Sequence, residues 1–214
     1  WVGEEKVHTF IIRGDAEPKA LNMPGFNSFT SAAETWVENY LAEPGLVNSF
    51  KFFDAHRKLP VNSDLLVALG GLGEYAPTKH WLELGGTSAV VARESKAKWL
   101  KLIQHARNTG GTLLVPVLKD KAILLAEQPT DEVLAQAAGL DLQENIADIS
   151  SWLATISTSY HQRIVLGQYA YAPGVDHILV QAVQDAIADL LTSKLSRTRL
   201  AMSWLGTPTD STAV

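Results

Sequence analysis

The sequence has no cysteine among its 214 residues. Disulfides, thiolate metal sites and a cysteine nucleophile are therefore excluded. Long apolar runs are also absent, because no stretch approaches the roughly 20 residues that cross a bilayer. The N-terminus lacks the basic-then-apolar pattern of a signal peptide. We therefore expect a cytoplasmic protein with no membrane partner.

The chain has little excess charge of either sign. It carries 18 Lys and Arg against 23 Asp and Glu, a formal net charge of -5, which argues against nucleic acid as its main partner. Hydrophobic residues make up 46% of the sequence, an ordinary value for a globular domain that is long enough to bury a full core. Repeats and low-complexity tracts are absent.

A glycine-rich turn follows the first strongly apolar run, residues 64–70. Gly71 and Gly73, with Ala76 in the third place, fit the pattern G-x-G-x-x-G/A, and Gly70 precedes them. In dinucleotide-binding folds such a turn opens a helix, and its backbone N–H groups hold a pyrophosphate. The pattern therefore predicts a helix that begins at Gly71 and a phosphate site on Gly70, Gly71 and Gly73.

The residue that ends the second apolar run indicates which dinucleotide would bind. Residues 87–92 form that run, and Arg93 closes it, followed by Glu94 and Ser95. In a doubly wound fold the residue about 20 positions after the glycine turn meets the adenosine ribose. A guanidinium suits a 2′-phosphate, whereas an acidic residue suits a free 2′-hydroxyl. We therefore expect NADP(H), with Arg93 and Ser95 among its ligands.

Further apolar runs and helical patterns alternate along the rest of the chain. Strands are predicted at residues 7–12, 112–117, 162–167 and 199–205, and helices are predicted between the last three of them. Near the N-terminus, a capping box at Ser31 and Glu34 is predicted to open a helix that runs through Leu41. Strands separated by helices imply parallel pairing. The prediction is an α/β fold: a doubly wound, mostly parallel, Rossmann-like sheet with helices on both faces in residues 61–214. Residues 1–60 form an N-terminal α+β extension or lid.

Ligands in such sheets gather at the carboxyl ends of the strands. This rim would collect residues 70–73, Arg93, residues 116–119, 167–171 and 206–210. The long helix at residues 175–194 is predicted to bury one face against the sheet. Its inner residues would be Ile178, Leu179, Ala182, Val183, Ala186, Ile187 and Leu190. Most tryptophans lie in apolar segments, and only Trp81 and Trp204 lie where a cleft contact is conceivable.

The order of these motifs resembles the short-chain dehydrogenase/reductase superfamily, and within it the ketoreductase domains of fatty-acid and polyketide synthases. The likeness covers residues 61–210 and rests on residues 70–73, 90–93, 162–168 and 199–209. It implies an NADP(H)-dependent oxidoreductase that reduces a small-molecule carbonyl substrate or a carrier-bound acyl chain. It also implies partner domains in a larger chain and a homo-oligomer.

The catalytic residues of that family are missing at their usual positions. No Tyr-x-x-x-Lys pair stands on the helix after the fourth strand, and Gln168 and Tyr169 occupy the place of the serine. Tyr75 and Lys79 match the spacing and would share a helical face, but they lie just after the glycine turn. A replacement proton donor would come from Tyr169, Tyr171, Asp176 or His177, since imidazole titrates near neutrality. One of the two tyrosines should pack in the core and the other face the cleft. No histidine pair has metal-ligand spacing.

Two other interpretations remain open. The chain is alternatively a non-catalytic Rossmann-like structural or assembly module of a larger synthase or complex, with its glycine turn closed and an apolar face left for a partner. The weakest alternative is a methyltransferase-like fold that binds S-adenosylmethionine. Such sites favour an acidic residue where this chain has Arg93.

Overall fold

The protein folds around a single six-stranded sheet. Its structure, a computed structural model, describes residues 6–56 and 61–205. The predicted rim segment at residues 206–210 lies outside these residues. The strands are β1 (Val7–Arg13), β2 (Asp64–Leu69), β3 (Thr87–Val91), β4 (Thr112–Leu118), β5 (Arg163–Gln168) and β6 (Leu200–Trp204).

The strand order is β1-β4-β3-β2-β5-β6. β1 is antiparallel to β4, and every other neighbouring pair is parallel. From β2, the chain adds β3 and then β4 on one side of β2. It then returns to the centre of the sheet and adds β5 and β6 on the other side of β2. β2 and β5 therefore flank the topological switch point, where ligands bind in doubly wound sheets. The predicted α/β, mostly parallel, Rossmann-like fold is confirmed.

Eight helices connect or precede these strands in the described chain. They are α1 (Phe29–Glu38), α2 (Gly45–Ala55), α3 (Thr78–Glu83), α4 (Lys96–Arg107), α5 (Lys119–Ala122), α6 (Asp131–Ala137), α7 (Ile146–Ser159) and α8 (Asp176–Lys194). One face of the sheet packs on α7 and α8 and the other on α3, α4 and α6. Among the helices of residues 6–56 and 61–205, none combines the length and apolarity that crossing a membrane requires.

The N-terminal segment contributes to the main sheet through β1. Thr9 on this strand accepts a hydrogen bond from Trp152 Nε1 at 2.8 Å, which ties β1 to α7. α1 and α2 pack mainly on each other, through the rings of Phe29, Phe50 and Phe53. Residues 6–56 are therefore part sheet and part helical hairpin.

The predicted capping box at Ser31 and Glu34 is wrong by one helical turn. Ser28 is the N-cap of α1, and Ser31 is the residue that completes the box. The helix starts early because Asp54, on α2, accepts hydrogen bonds from the backbone N–H groups of Phe29 and Thr30. It ends at Glu38 rather than Leu41. A carboxylate some 25 residues away in sequence thus supplies part of the cap.

The predicted inner face of α8 is only partly correct. Ile187 is buried, but Ile178 and Leu179 are exposed. The helix instead buries Val180, Gln184, Ile187, Ala188 and Leu191. Apolar residues occur on both sides of α8, so periodicity could not select the side that meets the sheet. The exposed apolar side is consequently available for other contacts.

Candidate functional site

The glycine turn, residues 70–73, lies where predicted, at the carboxyl end of β2. All three glycine N–H groups donate inside the chain: Gly70 to Val91 O at 2.8 Å, Gly71 to Ala68 O at 3.2 Å, and Gly73 to Gly70 O at 2.8 Å. A bound pyrophosphate would need such groups free to donate to its oxygens. In this conformation they stabilise the turn itself.

The glycines are explained by close approach of neighbouring chain. Gly70 has φ +79°, a left-handed conformation that favours glycine. A Cβ there would lie 2.6 Å from the Cα and N atoms of Ala170, which follows β5. A Cβ on Gly71 would lie 2.9 Å from the Cβ of Ala68 and the Cγ1 of Val90. The approach of Ala170 to Gly70 thus places the segment after β5 directly against the glycine turn, at the switch point between β2 and β5.

The predicted helix start at Gly71 is wrong. α3 begins at Thr78, after Pro77, and spans only six residues. A proline disfavours helical geometry in the residue before it, here Ala76, so the turn continues through that residue. Tyr75 therefore lies outside the helix, exposed, and shares no helical face with Lys79. The predicted pairing of these two residues on one face is also wrong.

A buried glutamine holds the segment after β5 against this turn. Gln184, on α8, is fully buried. Its Oε1 accepts from Ala170 N at 3.1 Å, and its Nε2 donates to Ala170 O at 3.3 Å. Tyr169 N donates to Leu69 O at 2.8 Å on the other side. The side-chain amide thus pairs with Ala170 much as a neighbouring strand would, and this residue was missed by sequence reasoning because a glutamine on a helix normally faces solvent.

β3 ends at Val91, so Arg93 lies two residues beyond the strand rather than closing it as predicted, and its side chain is 84% exposed. Its Nε lies 3.9 Å from Asp141 Oδ2, and its backbone O accepts from Trp99 Nε1. Ser95 is the N-cap of α4, although its side chain makes no capping hydrogen bond. Arg93 is therefore available to an anion at the carboxyl edge of the sheet.

The chain itself crosses the edge next to Arg93. Gly139 N donates to Pro116 O at 3.0 Å, and Leu140 N donates to Ala92 O at 2.8 Å. Ala138 also forms a bridge with Val117. Leu140 is fully buried. This crossing covers the carboxyl ends of β3 and β4, where a doubly wound sheet would receive an adenosine.

The four candidate proton donors fall into two separate environments. Tyr169 is half-buried, its ring lies over Gly167, and its hydroxyl donates to Ser203 Oγ at 3.1 Å. Tyr171 is 76% exposed, and its ring centroid lies 5.6 Å from that of His177. Asp176 is the first residue of α8, where its charge complements the helix dipole. The structure thus brings Tyr171 and His177 together, whereas Tyr169, which follows β5, is hydrogen-bonded to Ser203 on β6.

An open groove lies between α8 and β6, and we call it the β6 groove. It has a volume of about 430 Å³ and is lined by Gln168, Asp185, Ala188, Met202 and Trp204. Met202 and Trp204 are 46% and 58% exposed. Ile178 precedes Asp185 by two helical turns, so it lies on the same side of α8. Of the two tryptophans singled out for a cleft, Trp204 reaches this groove, whereas Trp81 donates its Nε1–H to Thr87 O.

Two histidines that are far apart in sequence meet at Glu83, at the opposite end of the sheet. His80 Nδ1 lies 3.4 Å from Glu83 Oε2, His105 Nε2 lies 3.6 Å from Oε1, and Lys19 Nζ donates to Oε1 at 3.2 Å. Burial raises the pKa of Glu83, but hydrogen bonds from Lys19 and His80 and the nearby charges outweigh it, so the pKa is lowered overall. Within residues 6–56 and 61–205, no group of three or more His, Asp or Glu is arranged to hold a metal.

Comparisons with known proteins identify no relative: no family model, no curated protein and no solved structure matches this chain.

Proposed function

We propose that this chain is a non-catalytic, cytoplasmic Rossmann-like module that assembles with another protein through the β6 groove. The observation that carries the proposal is the close packing at the switch point. At the switch point the backbone of Ala170 lies directly against Gly70, and the buried amide of Gln184 holds Ala170 there. An exposed apolar groove lies instead at the side of the sheet.

The glycine turn supports this proposal by its hydrogen bonding. A pyrophosphate would have to replace the bonds that Gly70, Gly71 and Gly73 make within the chain. It would also find α3 too short and too distant in sequence to offer a helix N-terminus at the turn. Opening the turn would break the contact with Ala170, which Gln184 holds from the other side.

The β6 groove supports the proposal by its composition. Met202 and Trp204 expose apolar side chains in this groove on β6, and Ile178 is exposed on α8. Exposed apolar side chains that share one groove are a feature of protein-binding sites. Tryptophan and methionine are also enriched in such interfaces.

The proposal is tested by titrating the protein with NADPH and with NADH in a calorimeter. We expect no binding heat for either nucleotide up to about 1 mM, the upper end of ordinary substrate affinities. Binding of either in the micromolar range, or turnover of a carbonyl substrate by the isolated chain, would overturn it.

A second candidate is an NADP(H)-binding reductase-like domain acting on a small carbonyl substrate or a carrier-bound acyl chain. It is favoured by the exposed guanidinium of Arg93 just beyond the end of β3, the place where a 2′-phosphate would lie. If this candidate is correct, Arg93→Ala weakens NADPH binding and leaves NADH binding nearly unchanged. If the wild-type protein and Arg93→Ala bind NADPH equally well, and NADH equally well, this candidate is wrong.

A further inference from the structure

The outer edge of β6 has no partner in the described chain. β6 pairs with β5 on one side and ends the strand order on the other. Leu200–Trp204 contains no charged residue and no proline, although edge strands are usually protected by such residues. Ile164 N donates to Arg199 O, so alternate residues Leu200, Met202 and Trp204 direct their backbone N–H and C=O groups away from β5.

The start of this edge strand is anchored. Arg199 Nη2 donates to three backbone carbonyls, those of Ser157, Tyr160 and Gln162, at 3.2, 2.9 and 3.2 Å. These carbonyls lie at the end of α7 and the start of β5. The edge is thus held in place before any partner arrives, which lowers the conformational entropy lost on binding.

The residues of β6 match one another when two copies of the strand are paired antiparallel. Antiparallel pairing about Met202 sets Leu200 opposite Trp204 of a second copy, Ala201 opposite Ser203, and Met202 opposite itself. Large apolar residues therefore meet large apolar residues, small ones meet small ones, and no charges are brought together on the strand. In this register the outward N–H and C=O groups of Leu200, Met202 and Trp204 all become paired.

The same register joins the two β6 grooves. Leu200 packs towards the core beneath α7 and α8, and Met202 and Trp204 follow it on the same face of the sheet. A two-fold axis perpendicular to the sheet keeps both α8 helices on that face. The side chains of the two strands then form one apolar strip between the helices, with Asp185 of each copy beside it.

We propose that a second copy of this chain binds the edge of β6, antiparallel and centred on Met202, to give a continuous sheet of two copies. This inference rests on the proposed function, for which it names the partner. Among the described residues, Asp185 is the one charged residue that lines the groove. Two copies of it approach the same strip, so their repulsion should weaken the dimer and salt should strengthen it.

The chain contains no cysteine, so a single introduced cysteine can report on the proposed contact. Met202→Cys places one thiol on the two-fold axis, where the Cα atoms of an antiparallel pair lie about 5.5 Å apart, within the range that a disulfide spans. Ile11→Cys is the matched control, since Ile11 is 42% exposed on the other edge strand. Both variants are oxidised with diamide and analysed by non-reducing electrophoresis and intact mass.

We expect Met202→Cys to form a covalent dimer at least about tenfold faster than Ile11→Cys, a difference of roughly 1.4 kcal/mol. Sedimentation of the wild-type protein should show a concentration-dependent dimer that Asp185→Asn tightens and Met202→Lys weakens, with circular dichroism confirming that both variants are folded. Cross-linking no faster than in the control, or a wild-type protein that stays monomeric, would overturn the inference. A monomer that also fails to bind nucleotide would overturn this inference alone, whereas nucleotide binding would overturn the proposed function.

Discussion

The carboxyl end of β2 and the outer edge of β6 differ in how much of their surface the chain itself covers. At β2, the backbone of Ala170 lies against Gly70, and Gln184 binds both backbone groups of Ala170. At β6, the described chain leaves one whole edge and the apolar side chains of Met202 and Trp204 uncovered. A sheet order that is typical of ligand-binding proteins therefore does not by itself provide a ligand site.

The largest expected effect comes from Gly70→Ala, which tests whether the β2 end is as tightly filled as the structure indicates. The left-handed backbone costs an L-residue about 1–2 kcal/mol, and overlap with Ala170, 2.6 Å from the added Cβ, adds about 1–3 kcal/mol. The free energy of unfolding, measured in urea, should fall by the sum of both costs.

The matched control is Gly174→Ala. Gly174 also has a positive φ, +67°, but in the described chain no atom beyond its two sequence neighbours lies within 4 Å of an added Cβ. It should lose only the backbone cost of about 1–2 kcal/mol. Equal losses in the two variants would show that Ala170 does not fill the space beside Gly70.

Gln184→Leu tests the same region from the side of α8. Ala170 would lose both of its partners on Gln184, which should lower the free energy of unfolding by about 1–3 kcal/mol. Hydrogen exchange at the Ala170 amide should also become faster. Gln104→Leu, at an exposed glutamine on α4, should change neither quantity; a similar response in both variants would contradict the role given to Gln184.

Tyr169→Phe separates a structural tyrosine from an exposed one. It removes the hydroxyl that bonds to Ser203 on β6 and should cost about 0.5–1.5 kcal/mol. Tyr171→Phe should cost nothing measurable, because Tyr171 is exposed. Thermal unfolding of both variants provides the test, and a larger loss for Tyr171→Phe would reverse the assignment.

The smallest effect is expected at Glu83, away from both regions. Because the folded-state pKa of Glu83 is lowered, its ion pairs stabilise the protein above the ordinary carboxyl pKa and lose that effect as the pH falls through the lowered value. Glu83→Gln should therefore cost up to about 1 kcal/mol at pH 7, and the difference from wild type should vanish in acid. A difference that persists or grows as the pH falls would contradict this assignment.

The strands could be predicted because each contains a short run of apolar residues. β2 and β3, for example, are buried along almost their whole length, and helices between them imply parallel pairing. The cap of α6 is also local, because the Thr130 hydroxyl accepts a hydrogen bond from the backbone N–H of Val133. These features depend on residues close together in sequence.

The sequence could not predict whether the glycine turn has room for a ligand, because that depends on residues far away in the sequence. A glycine that makes room for a phosphate and a glycine that makes room for Ala170 look the same in the sequence. Asp54 caps α1 from the next helix, and Glu83 gathers Lys19 and His105 from separate segments. The side of α8 that stays exposed also depended on where the sheet lies, since both sides carry apolar residues.

The most direct measurement for both regions is hydrogen exchange followed by mass spectrometry, with and without excess NADPH, at low and high protein concentration. The account predicts that NADPH leaves exchange unchanged across the glycine turn, residues 70–73. It also predicts that raising the protein concentration slows exchange of the outward-facing amides of Leu200, Met202 and Trp204. Slower exchange at the turn with NADPH, together with β6 exchange that is independent of concentration, would contradict it.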